Sequence, residues 1–411
     1  MRKTPQTLKG FRDFLPEEKI RRDFVMGKVL EVFKKFGFEP LETPTLEYAS
    51  LLLGKYGEEA DKLVYTFKDQ GDREIGLRYD QTVPTARVLA QYQGMLPKYF
   101  RRYQVQNVFR AEKPQKGRYR EFTQCDIDIF GSTSPTSDAE IVACTYFAFE
   151  NVGYPNIVIK INDRQVLLEN LKPFEKDGVS TLSIIQSIDK LDKKSKDEVV
   201  SELIKKGLDQ NDAKKAIESI ENATISKNLQ SIIDSSVSLG VPEENIRFTP
   251  ELARGLDYYT GMIFEVIIPE YPVGSFGGGG RYDNLIEQLG GNKTPAVGIA
   301  FGFDRMVEAA QELELIPANN LGSQVLITLF PGYENKSLKA ASKLRKAGIK
   351  TEVFTDPDKL GKQFKYANTR KIPYVLVIGE DEAKNNKVTL KNMDSGDQEV
   401  ITLDDVISRL T

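Results

Sequence analysis

Histidine is absent from all 411 residues, and so is tryptophan. Without an imidazole the chain cannot build a Ser-His-Asp or Cys-His nucleophilic arrangement, an HExxH helix or any His-containing metal site. Its chemistry must rest on positioned charges rather than a histidine proton shuttle. Cysteine is nearly absent too. Cys125 and Cys144 stand alone with no CxxC pair, which excludes a disulfide framework and a thiolate zinc site. No apolar run approaches the roughly 20 residues of a membrane span. Met1-Arg2-Lys3-Thr4-Pro5 has no apolar stretch behind it of the kind a secretion signal carries. A soluble cytoplasmic chain with no membrane partner is expected. Walker A and GxGxxG sequences are missing, and Phe276-Gly277-Gly278-Gly279-Gly280-Arg281 has the wrong spacing for either. A net charge of -3 gives no blanket attraction to nucleic acid, so any RNA contact must come from local patches.

What is present is organised around residues 103–131. Tyr103 to Arg110 is β-prone. Lys113 to Arg118 holds Pro, Gly and three cations and reads as a turn with an exposed basic tip. From Glu121 to Ile129 the pattern alternates. Phe122, Gln124, Asp126 and Asp128 face one way, and Thr123, Cys125, Ile127 and Ile129 the other. One face packs; the other carries a ring, an amide and two carboxylates beside a cluster of cations. Taken alone, this is equally an exposed charged hairpin or a seat for a polyphosphate and a small polar ligand.

Around it, Leu15 to Gly37 reads as an amphipathic helix with Pro16, Glu17 and Glu18 in its first turn. Arg78 and Asp80 alternate on a strand, and Thr82 opens a helix. Asp138 to Asn151 is helical and Ile157 to Ile161 a strand. Between Val166 and Gly240 aromatics and glycines thin out, and apolar residues recur at helical spacing. The four glycines 277–280 are expected to let backbone approach a ligand and then turn into a helix. Pro295 to Arg305 is a buried strand that delivers Arg305 to a helix start, where a cation serves better as a phosphate clamp than as a structural residue. Leu315 to Gln324 is a linker, and strands and helices alternate beyond it, implying a small mixed sheet covered by helices.

Arg110-x-Glu112, the basic turn, Arg118-Tyr119-Arg120-Glu121-Phe122 and Gln124 followed by Asp128 together resemble motif 2 of the class II aminoacyl-tRNA synthetases. The helix before Glu42-Thr43-Pro44 resembles motif 1, and the strand ending at Arg305 resembles motif 3. Arg254-Gly255-Leu256-Asp257-Tyr258-Tyr259-Thr260-Gly261 resembles the histidine-recognition string of the histidyl-tRNA synthetase family. Class I synthetases would need a His-x-Gly-His motif, which this chain cannot have.

The resemblance implies an α/β (α+β) architecture. A catalytic domain on a mainly antiparallel sheet would occupy 1–165 and 241–320, a helical insertion 166–240, and an α/β anticodon-binding domain 325–411. It implies a homodimer acting on L-histidine, ATP with Mg2+, and tRNA(His), as a histidine–tRNA ligase. Arg110, Glu112, Arg118, Phe122 and Arg305 would bind ATP, with metal ligands left open. Asp80, Thr82, Gln124, Asp128, Arg254, Tyr258 and Tyr259 would bind histidine, and Arg254 and Arg110 would be catalytic. Asp128 stands where bacterial relatives often carry Glu, so direct and water-mediated contact with the ring both remain open. The alternative is a synthetase-like regulatory subunit of histidine biosynthesis. Such chains typically lose the catalytic arginines and the C-terminal domain, both present here.

Overall fold

The computed structural model describes residues 4–54, 61–114, 118–253, 258–317 and 322–411. It divides into two compact units, one of residues 1–13 and 25–315 and one of 14–24 and 316–411, each treated by itself below.

Helix α1 (Pro16–Lys35) carries acids in its first turn and lysines in its last, matched to the helix dipole. Strands β1 (Glu39–Pro40) and β2 (Leu46–Tyr48), helix α2 (Ala49–Leu52) and strands β3 (Thr66–Lys68) and β4 (Glu74–Leu77) follow. Helix α3 (Thr82–Tyr92) leads into the long hairpin β5 (Phe100–Phe109) and β6 (Glu121–Phe130). Then come α4 (Pro135–Val152), β7 (Val158–Asp163) and five helices: α5 (Arg164–Leu171), α6 (Thr181–Ile188), α7 (Lys196–Lys206), α8 (Gln210–Glu221) and α9 (Lys227–Ser238). Strands β8 (Ile246–Phe248), β9 (Met262–Ile267) and β10 (Gly277–Arg281), helix α10 (Leu285–Gln288), strand β11 (Ala296–Gly302) and helix α11 (Phe303–Glu312) complete the first unit.

Its main sheet has the order β1-β5-β6-β11-β10-β9-β7-β8. Only the outer pairs β1–β5 and β7–β8 are parallel; every inner pair is antiparallel. The alternation in β6 sets what each face does. Cys125, Ile127 and Ile129 are buried on the apolar side, where Phe33 of α1 packs against Phe301 at 5.3 Å between ring centroids. Each such burial contributes on the order of 1.5–3 kcal/mol.

The glycine run departs from expectation. Gly277 to Gly280 are strand β10, in the middle of the sheet, not a turn into a helix. The reason is space. A Cβ on Gly279 would lie 2.1 Å from the Gly298 carbonyl oxygen, and one on Gly280 would lie 2.4 Å from that of Met262. Thr82 does open a helix, but it is the Asp80 carboxylate that caps it, accepting from the Val83 amide at 3.2 Å. Arg78 lies past the end of β4, buried, and donates to the carbonyls of Asn107 and Thr43.

Helices α5–α9 sit between the neighbouring parallel strands β7 and β8. Ser195 and Glu198 form a reciprocal capping box at α7, and Gly207 closes that helix in the left-handed region at φ 119°. The apolar side chains of this segment, among them Ile184, Leu203 and Ile220, form one core with Phe130, Tyr259 and Tyr282 of the sheet region.

In the second unit, β12 (Val325–Ile327), α12 (Glu334–Lys346), β13 (Thr351–Val353), α13 (Leu360–Thr369), β14 (Tyr374–Val377), α14 (Glu380–Asn385), β15 (Val388–Asn392), β16 (Gln398–Ile401) and α15 (Leu403–Leu410) form a mixed sheet ordered β13-β12-β14-β15-β16. Helix α14, capped by Glu382 folding back to the Gly379 amide at 2.9 Å, is an element the alternation of strands and helices did not foretell.

Candidate active site

The polar face of the β5–β6 hairpin opens into a cavity of about 470 Å³. Gln124 and Phe122 enter it from β6, with Arg110 at the end of β5 and Glu112 and Arg118 from the connection. Asp80 and Thr82 come from the start of α3, and Tyr258 and Tyr259 precede β9. Gly277 and Gly278 contribute backbone, and Arg305 comes from the first turn of α11. Ten of the side chains expected at the site thus line one space.

Two remain. Arg254 lies outside the described residues. Asp128 sits below the cavity: it is 4% exposed, its Oδ2 is 2.6 Å from Nη2 of Arg102, and its Oδ1 accepts from the Tyr282 hydroxyl. Sequence alternation placed Asp128 on the right face but could not give its depth. The Oδ1 atom also reaches where a side chain at Gly298 would be, since a Cβ there would lie 1.9 Å from it.

The cavity also takes Tyr119, Ser275, Asp304 and Glu308, none of them expected. Asp304 and Glu308 share one face of α11 four residues apart, a spacing that was readable. Asp304 ties the N-terminal segment to β6, accepting from Arg12 at 2.7 Å and from the Thr123 amide at 3.0 Å. The Tyr119 hydroxyl donates to Glu308 at 3.1 Å, and the Arg12 guanidinium lies 3.2 Å from the Tyr119 ring centroid. Burial pushes the Tyr119 hydroxyl up despite that cation.

Cations cluster toward one end. The Arg110 guanidinium is held between rings, 4.3 Å from the Tyr79 centroid and 5.1 Å from that of Phe122, and its Nε donates to the Tyr79 carbonyl. Arg305 donates to the Ser275 carbonyl. Arg118 is exposed, with Glu112 at 3.7 Å. The other end holds neutral polar groups. The Tyr258 and Tyr259 hydroxyls are 3.1 Å apart, and Gln124 Oε1 is buried without a hydrogen-bond partner among the described residues. Beneath them, burial pushes Asp126 well up, and Asp128 and Asp80 add to the shift while Arg102 and Arg110 oppose it. Burial also raises Asp128, against the pull of Arg102 and Tyr282.

One end can therefore stabilise phosphate charge, and the other can hydrogen-bond a small polar ring. No group of three metal-ligating side chains gathers among the described residues. No helix described is long and apolar enough to cross a membrane.

Comparison with known proteins matches residues 10–306 to the family model for histidyl-tRNA synthetase and 324–411 to that for an anticodon binding domain. A histidine–tRNA ligase of Cytophaga hutchinsonii is 39% identical, with 99% of each chain covered. One from Clostridium tetani is 38% identical over 98% of this chain and 97% of its own. A histidyl-tRNA synthetase crystal structure from a Nostoc species superposes with a TM-score of 0.88 at 29% identity, covering 99% of this chain and all of that one.

Proposed function

Because the chain belongs to the histidyl-tRNA synthetase family, a class II aminoacyl-tRNA synthetase family whose reaction is the ATP-driven ligation of histidine to tRNA, we propose that the cavity on the β5–β6 hairpin is where it activates histidine. The observation that carries this reading is convergence: Arg110, Arg118 and Arg305 meet Asp80, Gln124, Tyr258 and Tyr259 in one space.

ATP lies along the cationic side, its adenine against Phe122 and near Glu112, with Arg110 on the α-phosphate and Arg118 and Arg305 on the outer phosphates. Histidine lies on the neutral side. Asp80 and Thr82 accept from its α-ammonium, while Gln124, Tyr258 and Tyr259, with Asp128 beneath, surround its ring. The histidine carboxylate attacks the α-phosphorus in line and pyrophosphate leaves. Arg110 and Arg254 bear the developing negative charge, so the protein supplies alignment and fixed charge rather than proton transfer. The adenylate then acylates the terminal ribose of tRNA(His). A site that hydrogen-bonds the ring rejects isosteres lacking those nitrogens, which removes the need for editing.

Mg2+ supplies further positive charge to the phosphates when bound. An ion held mainly by phosphate oxygens needs only one or two carboxylates from the protein, and Glu112 and Glu308 line the cavity for that purpose. The second unit, with Lys362, Lys365 and Arg370 exposed on and just after α13, is assigned to the anticodon. A homodimer is assigned from the resemblance; exposed Leu46, Tyr48 and Phe67 on the three-stranded sheet β2-β4-β3 offer apolar surface for it. A cytoplasmic location is part of the same reading.

Amino-acid-dependent ATP–pyrophosphate exchange across all twenty amino acids tests it. Exchange with histidine alone is expected. Exchange with a different amino acid would overturn the pocket assignment, and histidine binding without exchange would favour a regulatory role.

A further inference from the structure

Beneath the ring-binding end of the cavity lies a charged cluster whose arginine has been given no part in the reaction. Arg102 is fully buried on β5, opposite Asp128 in the hairpin register. Its Nη2 stands 2.6 Å from Asp128 Oδ2 and 3.9 Å from Asp126 Oδ2. Both oxygens of Asp128 are engaged, one by Arg102 and the other by the Tyr282 hydroxyl. The Tyr282 ring meets Tyr258 edge-on at 6.1 Å, and Tyr258 lines the cavity.

We propose that Arg102 is a positioning residue for substrate selection: paired with Asp128, it makes the floor of the pocket electrically neutral, so that the site takes histidine with a neutral imidazole ring and leaves the imidazolium form in solution. This inference rests on the assignment of the pocket to histidine.

Three observations support it. The Arg102 and Asp128 charges cancel. Asp126, its carboxyl driven up chiefly by burial, adds no charge when protonated. The groups assigned to the ring in the cavity, Gln124, Tyr258 and Tyr259, are neutral donors and acceptors, and Asp80, which also lines it, is assigned to the α-ammonium. Among the described residues an imidazolium would thus meet no unpaired anion, while a neutral ring offers one N–H to the open Gln124 Oε1 and one acceptor nitrogen to a tyrosine hydroxyl. The titratable or charged groups facing the cluster among the described residues are Asp80, Arg110, Tyr258 and Tyr282.

The chain contains no histidine, so the substrate is the sole imidazole in the sample. Nitrogen-15 NMR of ring-labelled histidine bound to the full chain at pH 5.5 reads its state directly. Two well-separated ring-nitrogen signals, those of a neutral tautomer, are expected. Calorimetric affinity should weaken about tenfold between pH 7.5 and 5.5, following the neutral fraction of a ring with pKa about 6.5. In Arg102→Met the floor is left with excess negative charge. The bound ring should then give the near-coincident signals of imidazolium, and the affinity change should shrink to about threefold or less; Arg102→Lys should restore both. Imidazolium signals in the wild type overturn the proposal whether or not the variant folds. A neutral ring and an unchanged slope in Arg102→Met also overturn it. Undiminished histidine binding in Gln124→Ala would instead remove the pocket assignment on which it rests.

Discussion

Two of the arginines buried in the first unit, Arg102 and Arg281, are partnered very differently. Arg281, at the end of β10, has every guanidinium nitrogen engaged. Nε and Nη2 donate to Asp138, Nη2 also to Ser137 Oγ at 3.1 Å, and Nη1 to the Ser132 carbonyl at 2.9 Å and to Asp283 at 3.1 Å. Arg102, in the middle of the polar face, has its ion pair with Asp128, while none of its three guanidinium nitrogens meets hydrogen-bond geometry with a partner among the described residues. A saturated buried cation ties elements together: Arg281 fixes the end of β10 to the start of α4. An unsaturated one makes a poor tie; what Arg102 does is balance the charge of the buried carboxylate beside it.

The sharpest way to break this comparison is to remove each guanidinium in turn. Arg281→Met leaves Asp138 buried beside no cation and should cost about 3–5 kcal/mol, read as a large drop in the denaturant midpoint. Arg102→Met has fewer bonds to lose and should cost roughly half as much or less. Equal losses would mean that Arg102 is a structural tie as well. Gly298→Ala comes next. Its Cβ would strike Asp128 Oδ1 at 1.9 Å and the Ile127 carbonyl at 2.6 Å, displacing the carboxylate from both Arg102 and Tyr282. A stability loss of about 1–3 kcal/mol is expected. Histidine-dependent exchange should fall by about a hundredfold, since misplacement by about 1 Å suffices for that. The smallest effect belongs to a region away from both arginines. Ser195→Ala removes the capping box of α7, should cost about 1 kcal/mol by thermal melting, and should leave exchange unchanged.

These contrasts also show what the sequence could and could not reveal. The hairpin was legible because a period of two residues divides Phe122, Gln124, Asp126 and Asp128 from Cys125, Ile127 and Ile129 without knowledge of neighbours. Helix α1 and the delivery of Arg305 by an apolar strand were legible for similar local reasons. Depth was not. The arm read from sequence begins at Tyr103 and leaves out Arg102, which is fully buried, while Arg101 pairs with Glu140 at 2.7 Å on the other side. The glycine run read as a turn into a helix because the constraint on it comes from carbonyls of β9 and β11, which are set by pairing. Tyr119 and Ser275 were missed because their place in the cavity depends on how a strand connection and a helix meet.

Strand β10 has a further consequence, for how the site can change over generations. One wall of the cavity, at Gly277 and Gly278, is made of backbone, and the neighbouring Gly279 and Gly280 exclude even a methyl group. At Gly279 and Gly280 any codon change adds atoms where none fit, so that half of the strand cannot drift. Two strands away in the same sheet, β6 lines the cavity with the side chains of Phe122 and Gln124, which can be exchanged one at a time. Diversification of the ligand, by natural descent or by directed evolution, is therefore channelled to the hairpin, while Gly279 and Gly280 hold their part of the sheet fixed.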